Sequence, residues 1–545
     1  MSQTNKFLFP LRVRSVTLRA AAACGLLAAA PTAFAQAPFS CVSMRSAQFA
    51  NVIINSAVEV ALPNAQSPSD TYCQIDGVVL SDGLNGEPSN GAGFRVALPT
   101  RSWNGKLLVE GNGAHAGVIP GFSALNRGYA EAGTDTGHIG VAFGSVVAGY
   151  DARWAFASMT KQADFGYRAV HATTDTAKAM INAFYGQAPA HSYFNGCSLG
   201  GRQAWIEVQR YPKDFDGVLA GASFNNYNVA KMEMNWNQQW QLKDANHLIP
   251  ASKLINVGTA VKAACDAKDG LVDGLIDDPR KCTFDPASLQ CASGDGPRCL
   301  TAGQVETLKM VYQGARTSSG TQLTPGYVPG GEDTAGTTDS WLTSPTTITN
   351  ANGTLSYGST AASEFTSQDQ FFTYLAWWPS IPAYNWRTFN FDTDPQKLTY
   401  SEATYSAINT NMLPFVSNGG KLIAYHGWSD WAISPLLSID WWNKEQAAMG
   451  DTSQYYRLFM VPGMGHCGGG PGPNQADYLT ALENWVEKGV APDSIIATHS
   501  STSAQPGTAG SADRTRPLCP YPKVARYKGT GSIDDATNFS CVNPS

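Results

Sequence analysis

The sequence predicts an α/β protein whose sheet is interrupted by a long insertion. Strand and helix signals alternate from about residue 37 to residue 223, stop from about 224 to 399, and resume after residue 400. A Gly-x-Ser-x-Gly segment, residues 196–200, falls where a predicted strand meets a predicted helix. An insertion of about 175 residues at the carboxyl ends of the strands would act as a lid.

The individual elements follow from hydrophobic periodicity. Strands are predicted at residues 93–98, 106–109, 191–195, 421–425 and 457–461, and another begins at 216–219. Helices are predicted at residues 162–185, 202–209 and 475–488. The segment between residues 224 and 399 is rich in Asn, Gln, Thr, Ser, Gly and aromatic residues and has no strand–helix rhythm.

Composition and the amino terminus limit the possible functions. A net charge of −6 provides no basic surface, so nucleic-acid binding is not expected. The first 35 residues combine four basic residues, a short apolar run at 20–30 and an Ala-x-Ala site at 33–35. This pattern predicts a signal peptide over residues 1–35. No later apolar run is long enough to span a bilayer, so we expect a secreted or periplasmic protein without a membrane segment.

Ser198 is the candidate nucleophile, because a serine on a tight strand-to-helix turn is exposed at the positive end of the following helix. A serine hydroxyl needs a base, and the base needs an orienting acid. In α/β hydrolases these follow in the order Ser, Asp or Glu, His. Asp430 and His466 each follow a predicted strand and fit that order. His426 is the rival base and Asp440 the rival acid; we interpret His426 as structural and place Asp440 in a helix.

Two cysteines flank the proposed catalytic residues. Cys197 precedes Ser198 and Cys467 follows His466. If the serine and the histidine are close, a disulfide between these cysteines would join their two loops. Such a bond, closing about 270 residues, would stabilise the fold by restricting the unfolded chain in the chain-entropy treatment. Ten cysteines remain after the signal peptide, an even number that favours disulfides in an exported chain.

The oxyanion of the reaction needs two hydrogen-bond donors. One should be the amide of Leu199, the residue after the nucleophile. The second should come from the Gly-rich loop at residues 110–117, which follows the strand 106–109. We expect Gly113 to supply it, with Ala114 as the alternative.

An Asp- and Gly-rich stretch lies at residues 265–278. Spaced carboxylates and turn glycines suit a hard cation bound by oxygen atoms, although the spacing is not that of an EF-hand. From the pattern alone, a solvated acidic turn is an equal alternative.

Four segments together form a recognisable pattern: residues 196–202 (Gly-Cys-Ser-Leu-Gly-Gly-Arg), 426–430 (His-Gly-Trp-Ser-Asp), 465–467 (Gly-His-Cys) and the loop 265–275. They resemble the tannase and feruloyl esterase family, which includes the mono(2-hydroxyethyl) terephthalate hydrolases. The resemblance implies an α/β-hydrolase core formed by residues 36–223 and 400–545, with residues 224–399 as an inserted lid domain. It implies Ser198, Asp430 and His466 as the catalytic triad. It also implies Ca²⁺ in the lid, bound by carboxylates of Asp266, Asp269 and Asp273 and by carbonyls of Leu271 and Leu275. Beside Cys197–Cys467, the implied disulfides are Cys41–Cys73, Cys265–Cys282, Cys291–Cys299 and Cys519–Cys541.

The resulting hypothesis is a secreted serine carboxylesterase acting on small esters of aromatic acids: feruloyl or other hydroxycinnamoyl esters, galloyl esters or terephthalate monoesters. Four lid aromatics would form flat apolar walls for the acyl group, or else the lid's own core: Phe371, Phe372, Trp377 and Trp378. Arg387 is a candidate to bind a free substrate carboxylate. The alternatives are a non-catalytic, calcium-stabilised protein that binds polyphenols or glycans, and an acyltransferase with the same triad.

Overall fold

The structure is a computed structural model that describes residues 39–64, 67, 69–140, 148–335, 341–358, 360–500 and 512–544. The predicted signal peptide, residues 1–35, lies outside the described residues. In chain order the strands are β1 (Val52–Ala61), β2 (Thr71–Ser81), β3 (Asn90–Pro99), β4 (Lys106–Glu110), β5 (Ala130–Thr134), β6 (His191–Cys197), β7 (Gly217–Gly221), β8 (Thr347–Thr349), β9 (Leu355–Tyr357), β10 (Lys421–Gly427), β11 (Tyr456–Val461), β12 (Gln475–Ala476), β13 (Ile495–Ser500), β14 (Ala512–Leu518), β15 (Val524–Tyr527) and β16 (Phe539–Val542).

The helices surround the sheet and fill the insertion. They are α1 (Cys41–Met44), α2 (Met159–Ala163), α3 (Ala169–Tyr185), α4 (Leu199–Arg210), α5 (Tyr227–Gln241), α6 (Ala251–Cys265), α7 (Ala302–Gln313), α8 (Glu332–Ala335), α9 (Ser363–Gln370), α10 (Thr399–Tyr405), α11 (Leu413–Ser417), α12 (Pro435–Met449) and α13 (Tyr478–Lys488). Short 3₁₀ turns lie at Leu125–Arg127, Ala148–Tyr150, Arg153–Ala155, Asp266–Asp269, Pro279–Lys281, Pro286–Leu289, Trp386–Thr388, Pro395–Lys397 and Ala536–Asn538.

The central sheet has the order β1-β2-β3-β5-β4-β6-β7-β10-β11. The pairs β1–β2, β2–β3 and β3–β5 are antiparallel. The strands from β5 to β11 in this order pair in parallel. Nearly every residue of β4 and β7 is buried, because parallel strands need cover on both faces.

Alternation along each strand divides the core between the two faces. Phe194 of β6 belongs to a cluster with side chains of α3 and α4, whereas the adjacent Tyr193 packs with Leu482 and Trp485 of α13. The two helices on one side and the single helix on the other therefore hold β6 in place. The carboxyl end of β6 is the start of the Gly-x-Ser-x-Gly turn.

Two predicted helices differ from those observed. The helix expected at 162–185 is divided into α2, a π-helical turn at Asp164–Arg168, and α3. The guanidinium of Arg202 on α4 donates to the carbonyls of Phe165 and Gly166 in that turn, at 3.1 and 3.0 Å. The helix expected at 475–488 begins only at Tyr478, because residues 475–476 pair with β13 instead.

The chain leaves the central sheet after β7 and returns at β10. The residues between them form α5 to α11, the β8–β9 ribbon and a π-helical turn at Phe371–Leu375. Side chains of α5 and of the π-helical turn share a buried cluster with Leu199 at the start of α4. The insertion therefore contacts the serine turn. In the described part of the chain, no helix is long and apolar enough to cross a membrane.

Candidate active site

Ser198 occupies a strained turn between β6 and α4. Its φ and ψ are 63° and −120°, an uncommon conformation for a residue with a side chain. The Ser198 amide donates to the carbonyl of Gly221 at 3.0 Å, which fixes the turn against β7. Ser198 as a residue is half-buried rather than enclosed.

The glycines around the serine are required by close backbone contacts. A Cβ on Gly196 would lie 2.4 Å from the carbonyl oxygen of Gly200. A Cβ on Gly201 would lie 2.2 Å from the carbonyl oxygen of Gly221. The turn can therefore be this tight only without side chains at these positions.

His466 and Asp430 form a hydrogen-bonded pair. Nδ1 of His466 lies 2.8 Å from Oδ2 of Asp430, whose side chain is fully buried. The other carboxylate oxygen, Oδ1, accepts the amides of Ala432 and Ile433, both at 2.9 Å. Burial alone would raise the pKa of Asp430, but the charge of His466 and hydrogen bonds from His426 and His466 outweigh it. The pKa of Asp430 thus lies well below its ordinary value, and the group is a carboxylate.

The two rival residues have other partners. His426 is fully buried, with Nδ1 2.7 Å from Ser438 Oγ and Nε2 3.2 Å from Asp430 Oδ2. It therefore lies behind the acid, as expected for a structural residue, and is closed to solvent. Asp440 is exposed on α12 and forms an ion pair with Lys444 at 2.6 Å.

A disulfide joins the serine turn to the histidine loop. Cys197 and Cys467 are bonded, with Cα atoms 6.0 Å apart across 270 residues of chain. Ser198 and His466 are each adjacent to one of these cysteines. Within the described residues, no direct hydrogen bond links the serine hydroxyl to the imidazole. The other disulfides are those the resemblance implied: Cys41–Cys73, Cys265–Cys282, Cys291–Cys299 and Cys519–Cys541.

The loop after β4 packs its backbone against the start of α4. A Cβ on Gly111 would lie 2.8 Å from the Cα of Gly200, so the two chains approach as closely as glycine allows. The next amide, that of Asn112, donates to Oε1 of Gln203 at 2.9 Å. These contacts place Gly111 and Asn112 beside the start of α4.

Three amides of α4 and the 110–117 loop have no hydrogen-bond acceptor among the described residues. Leu199 is the first residue of α4, and its amide has no acceptor among the described residues, nor have those of Gly113 and Ala114. Because the amide of Asn112 is already paired, the two residues predicted for the second donor are the ones that remain available. Ala114 has a φ of 50°, so the loop turns sharply at this residue.

Sequence reasoning missed two buried carboxyl groups beneath this loop. Glu110, the last residue of β4, bonds to Ser123 Oγ at 2.5 Å and to Asn195 Nδ2 at 2.9 Å. Burial raises its pKa to about 7 despite these bonds. Burial, and then the charge of Glu110, raise the pKa of the neighbouring Glu131 to about 8. Nothing in the sequence distinguishes these residues from glutamates on the surface.

An aromatic ring of the insertion packs on the proposed base. Trp341 lies edge-to-face with His466, with ring centroids 5.1 Å apart. Phe371 and Phe372 are fully buried in the cluster that the insertion shares with Leu199, and Trp377 packs at its edge. Trp378 instead lies near Tyr400, at 5.8 Å between ring centroids.

Arg387 lies in another part of the insertion. Its guanidinium donates to the carbonyl of Leu355 and lies 4.1 Å from the ring of Trp386. Those two residues belong to a different hydrophobic cluster from Leu199. The contacts of Arg387 therefore give no support to a role in substrate binding.

The acidic loop holds its carboxylates by hydrogen bonds from its own backbone. Asp266 accepts the amides of residues 273 and 274 at 3.2 and 3.0 Å, and Asp269 those of 271 and 277, both at 3.1 Å. Asp273 accepts the amide of residue 275 at 3.2 Å and forms a buried ion pair with Arg516 at 2.5 Å. The side-chain atoms that this loop offers to a cation are all oxygen atoms, as a hard cation requires. The three carboxylates are, however, not gathered within 4.8 Å of one another in this side-chain arrangement.

The acidic loop also contacts the histidine loop. A Cβ on Gly463, three residues before His466, would lie 2.6 Å from Cδ2 of Leu275. A further carboxyl group, that of Asp277, was not part of the predicted ligand set. Its pKa is about 8, raised by burial and then by the charges of Asp269 and Asp273.

Three features together define the α/β-hydrolase class. The sheet is mixed, a strained serine turn follows one parallel strand, and an acid and a histidine follow two later strands. Residues 76–542 match the family described as tannase and feruloyl esterase. The chain therefore belongs to the tannase and feruloyl esterase family, and it is a carboxylic ester hydrolase.

Individual relatives agree with this assignment. The chain is 35% identical to the mono(2-hydroxyethyl) terephthalate hydrolase of Piscinibacter sakaiensis, over 87% of this chain and 85% of the relative. It is 28% identical to feruloyl esterase B of Aspergillus niger, over 81% and 82% of the two chains. The crystal structure of feruloyl esterase B from Aspergillus oryzae superposes with a TM-score of 0.77 at 26% identity, covering 92% of this chain and 99% of that one. The predicted α/β-hydrolase fold is thereby confirmed.

Proposed function

We propose that this protein is a secreted serine esterase that hydrolyses esters of aromatic acids through Ser198, His466 and Asp430. The observation that carries the proposal is the joint geometry of the site. Asp430 holds His466 through Nδ1, and the disulfide between the neighbouring cysteines ties that histidine's loop to the serine turn.

In the proposed reaction, Ser198 Oγ attacks the ester carbonyl while Nε2 of His466 accepts its proton. The negative charge on the tetrahedral intermediate is met by the amide of Leu199 and by that of Gly113 or Ala114. The imidazolium returns its proton to the departing alkoxide, leaving an acyl-serine. A water molecule, deprotonated by the same imidazole, then releases the acid and restores the hydroxyl.

Covalent labelling tests the nucleophile. A fluorophosphonate should label one serine of the folded protein at neutral pH, and Ser198→Ala should remove the label. The exposed Ser288, on a 3₁₀ turn of the insertion, gives a control, since Ser288→Ala should leave labelling unchanged. A folded wild-type protein that takes no label would instead support the non-catalytic, ligand-binding alternative.

The aromatic acyl preference is supported by the names of the relatives and by Trp341 beside His466. A panel of methyl ferulate, methyl gallate and mono(2-hydroxyethyl) terephthalate, with ethyl hexanoate for comparison, measures it through kcat/KM. We expect Trp341→Ala to raise KM for the best aromatic ester but not for ethyl hexanoate. The control is Trp378→Ala, which removes a ring that packs on Tyr400. A wild-type preference for ethyl hexanoate would contradict the proposal.

We further propose that the acidic loop binds Ca²⁺. Asp266, Asp269 and Asp273 would supply carboxylates, and Leu271 and Leu275 carbonyl oxygens, once the side chains rotate inward. A bound cation would offset the repulsion among the carboxylates and hold the loop against the histidine loop that Leu275 touches.

Calcium removal gives the test. EGTA should lower the melting temperature and excess Ca²⁺ should restore it. Asp269→Asn should abolish this response, whereas Asp285→Asn, at an exposed acid of the following turn, should retain it. A melting temperature that is indifferent to EGTA would refute the calcium site.

Secretion or periplasmic export is supported by the amino-terminal pattern and by five disulfides, which persist in oxidising compartments. Expression of the full chain, followed by mass spectrometry of the mature amino terminus, should find cleavage after Ala35. An uncleaved chain that stays in the cytoplasm would contradict this part of the proposal.

A further inference from the structure

Three metal-ligating side chains converge at the end of α4 opposite the serine. His171 and Asp175 lie one turn apart on α3, and Asp214 lies in the segment between α4 and β7. His171 Nδ1 is 2.6 Å from Asp214 Oδ2, and His171 Nε2 is 3.6 Å from Asp175 Oδ2. One ligand atom from each of the three residues lies within 4.8 Å of the others. This is the only such group of three among the described residues.

A buried carboxyl group points into this cluster from α4. Glu207 is 1% exposed, and neither of its oxygens has a hydrogen-bond donor among the described residues. Its carboxyl group lies against that of Asp214. A buried carboxyl group behind a ligand can hold that ligand in position for a cation.

A lysine beside the cluster faces the backbone. Lys178 Nζ donates to the carbonyl oxygen of Asp214 at 2.5 Å. The imidazole of His171 is further held by stacking on Tyr211, at 3.8 Å between ring centroids. The ring is therefore fixed in place while a third of the histidine side chain remains open to solvent.

Another histidine of the chain shows why convergence matters. His247 also has two carboxylates, Asp244 2.8 Å from Nδ1 and Glu306 3.0 Å from Nε2. Among the described residues, however, His247 and its two carboxylates do not bring three ligand atoms within 4.8 Å of one another. One histidine with two neighbouring carboxyl groups is therefore not enough to form such a group of ligand atoms, and His247 serves as the matched control.

We propose that His171, Asp175 and Asp214 bind a divalent transition metal ion, with Glu207 as the buried carboxyl group behind Asp214. One imidazole and two carboxylates suit Zn²⁺, with water completing the coordination. Asp214 now lies on Nδ1 of His171 and Asp175 on Nε2, so Zn²⁺ bonds of about 2.0–2.2 Å require one carboxylate to turn toward the nitrogen that binds the ion. The ion would tie α3 to the segment that follows α4, the helix that begins beside Ser198.

The test is zinc titration of the full protein without a polyhistidine tag. Chelator-treated protein is kept in excess Ca²⁺, which does not compete for imidazole, and Zn²⁺ binding is measured by calorimetry. Co²⁺ is then used as a spectroscopic probe, since its visible absorption reports ligand number and geometry. Neither measurement depends on esterase activity.

Wild-type protein should bind one more equivalent of Zn²⁺ than His171→Gln, and His247→Gln should bind as the wild type does. Asp175→Asn, at an exposed position, should weaken that equivalent without affecting folding. Glu207→Gln should weaken it by about 10- to 100-fold, as is typical for groups behind a ligand. Equal zinc binding by wild-type protein and His171→Gln, or by wild-type protein and Asp175→Asn, would overturn the proposal.

Discussion

Removing the Cys197–Cys467 disulfide should damage both the stability and the activity of the protein. The double variant Cys197→Ala/Cys467→Ala opens a loop of 270 residues. The chain-entropy formula gives about 5.6 kcal/mol for a loop of that length at 25 °C. For the bond between Cys41 and Cys73, which closes 32 residues, it gives about 3.7 kcal/mol.

Removal of the Cys197–Cys467 bond and removal of the Cys41–Cys73 bond should affect the activity differently. Cys197 and Cys467 adjoin Ser198 and His466, so their loss frees two loops that must stay aligned. A misplacement of about 1 Å at the reacting atoms reduces the rate by about 100-fold, and we expect a fall in kcat of that order. The Cys41–Cys73 bond lies at the β2 side of the sheet, and its loss should leave kcat within about twofold of wild type, since no reacting atom moves.

Guanidinium unfolding followed by tryptophan fluorescence measures the stability loss, and saturation kinetics on the best ester of the panel measures kcat. Comparing Cys197→Ala/Cys467→Ala with Cys41→Ala/Cys73→Ala separates the loss of loop alignment from general destabilisation. If both variants lost similar stability and neither lost kcat, the alignment role of the Cys197–Cys467 bond would be refuted.

Three further changes probe the site. Asp430→Asn should lower kcat by about 10⁴-fold with little change in KM, because His466 loses the carboxylate that orients it; unchanged kcat would exclude Asp430 as the acid. Gly111→Ala should lower kcat by about 100-fold through displacement of the oxyanion loop, as measured on the same ester, and normal kcat would show that the loop is uninvolved. Glu131 has a folded pKa of about 8, above its unfolded value, so its burial increasingly destabilises the protein as pH rises from about 4 to 8. Glu131→Gln should therefore flatten that decline in a pH series of unfolding midpoints, and an unchanged slope would contradict the assignment.

Local sequence was sufficient to locate the nucleophile turn and the order of the proposed triad. Glycines on both sides of Ser198 signal a turn that side chains would obstruct, and close backbone contacts at Gly196 and Gly201 bear this out. Asp430 and His466 could be chosen because each follows a strongly apolar strand. Each of these patterns extends over only a few neighbouring residues, so it can be recognised in the sequence alone.

The insertion was the least predictable region from its sequence. Its helices have no regular apolar spacing that would reveal which ring meets the site, so the contact between Trp341 and His466 emerges only in three dimensions. Arg387, selected for its charge alone, is instead held by Leu355 and Trp386. Charge and aromatic character indicate which interactions a side chain can make, whereas packing decides which residues it contacts.

The sequence by itself predicted several strands of the central sheet, the serine turn, the proposed acid and base that follow it, and an even set of cysteines. Tertiary structure alone decided where the predicted helix 162–185 breaks, because Arg202 reaches the carbonyls of Phe165 and Gly166 from another helix. It also decided the raised pKa values of Glu110 and Glu131, and the convergence of His171 with Asp214. Each of these depends on the burial or approach of residues distant in the chain, which no local pattern records.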